Sequence, residues 1–149
     1  MRCYRIKKSS NPKENTAWKW FAKYIKTRDA IKTTGDIYYA KCITCGEVHP
    51  IEDTEDRDGM DAGHAIPGRM NSILFNEDLV NAQCRNCNRT NKGEKQMYKQ
   101  VLIDRHGQDF WDFWQTEKNK PVKFTNFDYE QISKSYREKY KALIKGCVA

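Results

Sequence analysis

Four of the six cysteines fall as two close pairs, Cys42 with Cys45 and Cys84 with Cys87, in the pattern C-x2-C-x38-C-x2-C. Two thiols three positions apart in a tight turn share one edge of a metal tetrahedron, and two such turns complete it. The spacing therefore predicts that the intervening segment leaves the first turn and returns to the same point. Four thiolates leave no open coordination position, so the expected ion is a structural Zn2+ that supplies folding free energy a small core lacks. Disulfides are the alternative use of cysteine. The N-terminal MRCYRIKKSSNPKEN has no apolar core of a secretory signal, and a lysine-rich chain without export favours metal in a reducing compartment. Cys3 and Cys147 are expected to be free thiols.

A chain of 149 residues suits one domain with a modest core. Residues 1–12 are polar and basic and read as a flexible lead-in. From Lys13 to Thr33 one helical face recurs at three- and four-residue spacing through Ala17, Trp20, Phe21, Tyr24, Ile25 and Arg28, with Lys19, Lys23 and Lys26 on the other side. This is an amphipathic helix, ended by Gly35. Residues 37–41 form a short strand into the first cysteine turn. Residues 47–61 read as an acidic surface loop, either solvated, an accessory cation site, or a guard against misplaced nucleic acid. Met60 to Ile66 predicts the first strand of a hairpin, Pro67-Gly68 its turn, and Ile73-Leu74-Phe75 the return. A helix is expected from Asn88 to about Arg105, with Met97, Val101 and Leu102 inward and Gly107 at its end. A short aromatic helix over 109–115, a loop over 118–123 and a final helix over 126–144 complete the chain. The apolar stripe of the last, Tyr129, Ile132, Tyr136, Tyr140 and Leu143, would pack on the domain or on a second subunit. The class is α+β: a zinc-stapled domain over 13–116, then a linker and basic, aromatic helix over 117–149.

The formal charge of +7 suits a polyanionic partner, because Lys and Arg displace counterions from a phosphate backbone. No apolar run has the length of a membrane span. Within the zinc-closed segment, His64 stands late in the predicted strand. A neutral imidazole there could take a proton from water in line with a phosphodiester. Asn88, next to a zinc ligand, offers an amide oxygen, a hard donor suited to Mg2+ or Mn2+; its structural alternative is a helix N-cap. Asp61 could add a carboxylate to the same cation. Arg69, Arg85, Arg89, Lys92 and Lys95 surround these positions in sequence and are expected phosphate clamps.

The segments FAKYIKTRDA (21–30), CITCG (42–46), DAGH (61–64), FNED (75–78) and QCRNCN (83–88) resemble the phage NinG family, also called Rap, of recombination endonucleases. That family is in turn similar to zinc-bound HNH, or His-Me finger, nucleases with a ββα-metal core. The resemblance implies such a core flanked by N- and C-terminal helices. It also implies metal-dependent cleavage of branched DNA, such as Holliday junctions and D-loops, with His64 as general base and Asn88 as cation ligand. Two positions depart from the HNH pattern. Gly63 stands where an Asp or His usually precedes the base, which would leave Asp61 as the acidic ligand. Leu79 falls near the middle asparagine, so Asn76, Asn81 or a backbone carbonyl would orient His64. Other readings are a duplex-cutting or nicking HNH enzyme and a zinc-stabilised binding module without catalysis. A junction-cutting enzyme of this kind would act in the cytoplasm of a bacterial host, and a homodimer would supply two symmetric cuts.

Overall fold

The computed structural model describes residues 8–148. Cys3 and most of the expected lead-in fall in residues 1–7, outside the described residues. Cys147 is exposed and free.

The first helix, α1 (Pro12–Thr34), is set by local chemistry at both ends. The Asn11 side chain accepts the Lys13 N–H at 3.0 Å, and Pro12 occupies a first-turn position where no N–H is needed. Gly35, at φ 76°, closes the other end by donating to the Ile31 carbonyl. Ala17, Phe21 and Ile25 are fully buried on one face. Arg28 and Asp29 extend that face by polar bonds. The Arg28 guanidinium donates to the carbonyls of Glu77 and Val80, and Asp29 Oδ2 accepts the Ala82 N–H at 2.7 Å.

Two antiparallel pairs of strands follow. Strand β1 (Tyr39–Lys41) pairs with β2 (Val48–Pro50), so the acidic segment expected to be all loop begins with a strand. Strand β3 (Asp61–His64) pairs with β4 (Val80–Gln83), in the register Asp61 to Gln83 and His64 to Val80. The return strand is thus not Ile73-Leu74-Phe75. Those residues belong to a one-turn helix, α2 (Asn71–Leu74), and its cap. Ile73 and Leu74 are buried, and Ile73 packs with Ile66, Leu79, Tyr98 and Leu102.

After β4 the chain makes a wide helical turn, Asn86–Thr90, with an Asn91 N–H to Asn86 carbonyl bond of 2.9 Å. Positive φ at Lys92, Gly93 and Glu94 then breaks the path. Helix α3 (Lys95–His106) therefore starts later than the sequence suggests. Tyr98 and Leu102 point inward and Met97 is exposed. Gly107 ends α3 and leads into α4 (Gln108–Glu117), whose Trp111 covers the same core. The last helix, α5 (Asn126–Val148), lies along α1. Phe21 meets Tyr136 edge-on at 4.9 Å, and Trp20 meets Tyr140 at 6.0 Å. The aromatic stripe considered for a second subunit is therefore engaged within the chain. Among the described residues, no helix is long and apolar enough to cross a membrane.

Candidate functional site

The two cysteine turns meet. The Sγ atoms of Cys42, Cys45, Cys84 and Cys87 all lie within 4.8 Å of one another. The Cys45–Cys84 separation is 3.8 Å, and thiolates at the Zn–S distance on a tetrahedron stand about 3.8 Å apart. The cluster could hold a metal ion such as zinc. Cys42 is more acidic than Cys45 and Cys84. Burial pushes it up, but backbone N–H groups of Cys45, Cys84 and Thr44 and the Thr44 hydroxyl outweigh that and bring it down to about 7. Ala30, Ala40, Ile51, Met60 and Ala82 pack round the sulfurs.

The second turn fixes Asn88. Its N–H donates to the Cys84 carbonyl at 2.9 Å, while the Gly93 N–H reaches the Cys87 carbonyl at 2.7 Å. Asn88 is not an N-cap, since α3 begins seven positions later at Lys95. Its Nδ2 donates to Asp61 Oδ2 at 2.9 Å. Asp61, only 8% exposed, also takes a two-pronged ion pair from Arg89, with Nε and Nη2 each at 2.8 Å. An amide and a carboxylate oxygen are hard donors, and ligands 2.0–2.1 Å from an octahedral Mg2+ stand about 2.9 Å apart. The 2.9 Å between Asn88 and Asp61, however, is an N–H···O hydrogen bond, and Asn88 Oδ1 lies toward Gly63 instead. A cation held here would need the amide turned over and the Arg89 pairing with Asp61 loosened.

Strand alternation explains Gly63 and His64. Positions 61 and 63 share one face of β3, and 62 and 64 the other. A Cβ on Gly63 would lie 2.2 Å from Gln83 Oε1 and 3.2 Å from Asn88 Oδ1. No side chain fits there while Gln83 and Asn88 keep their places, so Asp61 is the acid left on that face. His64 lies toward α1, its ring stacked on Trp18 at 5.2 Å. Its Nε2 is 3.2 Å from the Leu74 carbonyl, which can only accept, so Nε2 carries the proton and Nδ1 keeps the lone pair. A backbone carbonyl thus orients the imidazole. Asn76 instead accepts from the Asp78 and Leu79 amides, and Asn81 engages Tyr98 and Arg28. Burial, reinforced by the charges of Arg69 and Lys95, pulls His64 down to about 4, and the ring is neutral at physiological pH.

One cavity of about 610 Å³ takes in His64, Asp61 and Asn88. Among the described residues no strand pairs with the outer edge of β3, and one opening is lined from both of its faces. Arg69, Arg85, Arg89 and Lys95 line it; Lys92 does not. Lys95 donates to the His64 carbonyl at 2.5 Å, and burial lowers its pKa. Arg85 is held by the acidic segment, at 2.8 Å from Asp53 and 3.4 Å from Asp58. Two carboxylates of the 51–60 loop thus reach Arg85 at the cavity's edge, while residues 52–58 themselves remain exposed to solvent. Lys19, Lys23 and Lys26 of α1 form the opposite wall. Trp18 had no separate signal in the sequence: it lies among the aromatic residues of an amphipathic helix. Arg69, 4.6 Å from the Trp18 ring centroid, extends the stack.

Comparison with known proteins gives one family. The family model described as Bacteriophage Lambda NinG protein matches residues 1–146, through α5 and well past the motifs that carry the resemblance. No curated protein and no solved structure matches.

Proposed function

From the premise that the chain belongs to the bacteriophage lambda NinG family, we propose that it is a metal-dependent, structure-selective endonuclease that hydrolyses phosphodiesters in branched DNA, including Holliday junctions and D-loops. The observation that carries this reading is His64: a neutral imidazole with one nitrogen committed to the Leu74 carbonyl, in a cavity walled by arginine and lysine.

On this reading β3, β4 and the Asn86–Thr90 turn are an HNH-like ββα-metal core, and the four cysteines hold a structural Zn2+. His64 Nδ1 takes a proton from the attacking water, and the Nε2–H bond to Leu74 stabilises the imidazolium that forms. Arg69 and Lys95 hold the scissile phosphate, with Arg85 and Arg89 available once their acidic partners yield. Asp61 and Asn88 would hold a Mg2+ or Mn2+, which when bound supplies charge neutralisation at the phosphate and leaving oxygen. A homodimer would provide paired cuts. Its interface would have to lie away from the α5 stripe that α1 covers.

A second reading, a zinc-stabilised DNA-binding module without catalysis, draws on one observation: Arg89 already occupies both oxygens of Asp61. A duplex-cutting or nicking enzyme is the third. Four-way junction and linear duplex incubated side by side with the zinc-loaded protein and Mg2+ or Mn2+ separate all three. Junction cleavage above duplex cleavage is expected. Equal cutting of duplex favours the third reading, and binding without cutting under either cation overturns the enzyme assignment.

A further inference from the structure

A second cluster of cations lies on the surface where α1 and α5 meet, outside the cavity that holds His64. Lys134, Arg137 and Lys141 of α5 stand at three- and four-residue spacing, so they share one helix face. They line a separate cavity of about 610 Å³ together with Trp20 of α1. Its two acidic residues are Glu130, which is already paired with Lys13, and Glu138.

Trp20 connects this face to the first cavity. Three cations ring the indole: Lys19 Nζ at 5.5 Å, Lys23 Nζ at 5.6 Å and the Arg137 guanidinium at 5.6 Å. Lys19 and Lys23 also line the cavity of His64. Trp20 lines the α5-side cavity, and Lys19 and Lys23, beside its indole and in the lining of the His64 cavity, link the two. The basic residues form a continuous track between them. From Lys134 to Lys141 the helix rises about 10 Å, enough to follow about three phosphates of one DNA strand. A single straight duplex in the first cavity does not need this track, whereas a branch point delivers a second duplex beside the one being cut.

We propose that Lys134, Arg137 and Lys141, joined to the His64 cavity through Trp20, Lys19 and Lys23, hold the phosphate backbone of a second arm of branched DNA. The proposal rests on the nuclease reading for its substrate, but its test is a binding measurement and does not depend on cleavage. The track adds electrostatic contacts only when two arms are present, and this selects branched over linear DNA without any base contact.

The test is the salt dependence of binding to a four-way junction and to a linear duplex of the same arm sequence. It compares wild type with K134Q/R137Q/K141Q and with the charge-matched control K118Q/K120Q/K123Q. Each phosphate contact contributes about 0.9 to the slope of log K against log salt. The α5 variant is expected to lose about 2 to 3 from the junction slope and little from the duplex slope, with the control near wild type for both. Equal loss on junction and duplex, or no loss on either, overturns the proposal. If the triple variant fails to fold, K134Q/K141Q changes two exposed side chains and should lose about 2 from the junction slope alone. Single-turnover cutting at saturating junction is recorded alongside. A wild type that never cuts but shows the slope difference removes the nuclease reading and leaves the second-arm surface standing. Unchanged slopes with intact cutting do the reverse.

Discussion

Gly63→Ala adds one methyl group at the tightest point of the site, and the structure allows its effect to be worked out. The new Cβ would lie 2.2 Å from Gln83 Oε1 and 3.1 Å from Gln83 Cβ. Gln83 is fully buried and cannot retreat easily. Its Nε2 is held by the Gly93 carbonyl at 2.8 Å and by the Thr44 hydroxyl at 3.2 Å, and its Oε1 has no partner. Overpacking of this kind costs about 1–3 kcal/mol. With a urea m-value of about 1–3 kcal/mol per molar, the unfolding midpoint of the zinc-loaded protein should fall by about 1 M. A double-mutant cycle isolates the cause. Gly63→Ala in a Gln83→Ala background should cost at least 1 kcal/mol less than in wild type, roughly the coupling expected of residues in contact. A Gly63→Ala protein with the wild-type midpoint, or one whose cost is unchanged by Gln83→Ala, would refute the claim that Gln83 excludes a side chain from position 63.

Removing the metal should be more severe. Chelation of zinc, or Cys84→Ser, should lower the melting temperature and loosen the turn that places Asn88; circular dichroism read with zinc analysis checks this, and an unchanged melting curve after full zinc loss contradicts it. His64 gives stability a defined pH dependence. Its folded pKa, about 4, lies below the ordinary value near 6.5, so the unfolded chain takes up the proton first. The stabilisation is complete above pH 6.5 and is lost as pH falls toward 4. Relative to His64→Asn, wild type should lose about 2 kcal/mol between pH 7 and pH 4.5 in urea titrations. Parallel pH profiles for the two proteins would show that the ring is not buried in solution.

What the sequence disclosed was local chemistry. The cysteine pairs were legible because metal geometry dictates their spacing. The first helix was legible because its apolar period lies within it and Gly35 directly follows it. The return strand was not. Val80–Gln83 carries Asn81 and Gln83 and so shows no apolar run, yet both are buried, bonded by Tyr98, Arg28, Thr44 and Gly93 from distant parts of the chain. Ile73 and Leu74 had the look of a strand, but both are buried in a one-turn helix, with Ile73 packed against Tyr98 and Leu102 of α3. The start of α3 was misplaced because the cysteine turn and the left-handed backbone at 92–94 interpose themselves. In the site, Asp61, His64 and Asn88 were all nominated from sequence, and all three line one cavity. That His64 faces away from Asp61 across the strand, rests on Trp18 and takes its orientation from Leu74 depended on tertiary packing that no local pattern encodes.

The central claim is that the imidazole at position 64 moves the proton from the attacking water. Single-turnover cleavage of a four-way junction by His64→Ala, with zinc content and junction affinity measured on the same preparation, tests it most directly. Cutting should fall by about 100-fold or more while zinc and affinity stay near wild type. Cutting at the wild-type rate by a zinc-loaded, junction-binding His64→Ala protein would contradict it.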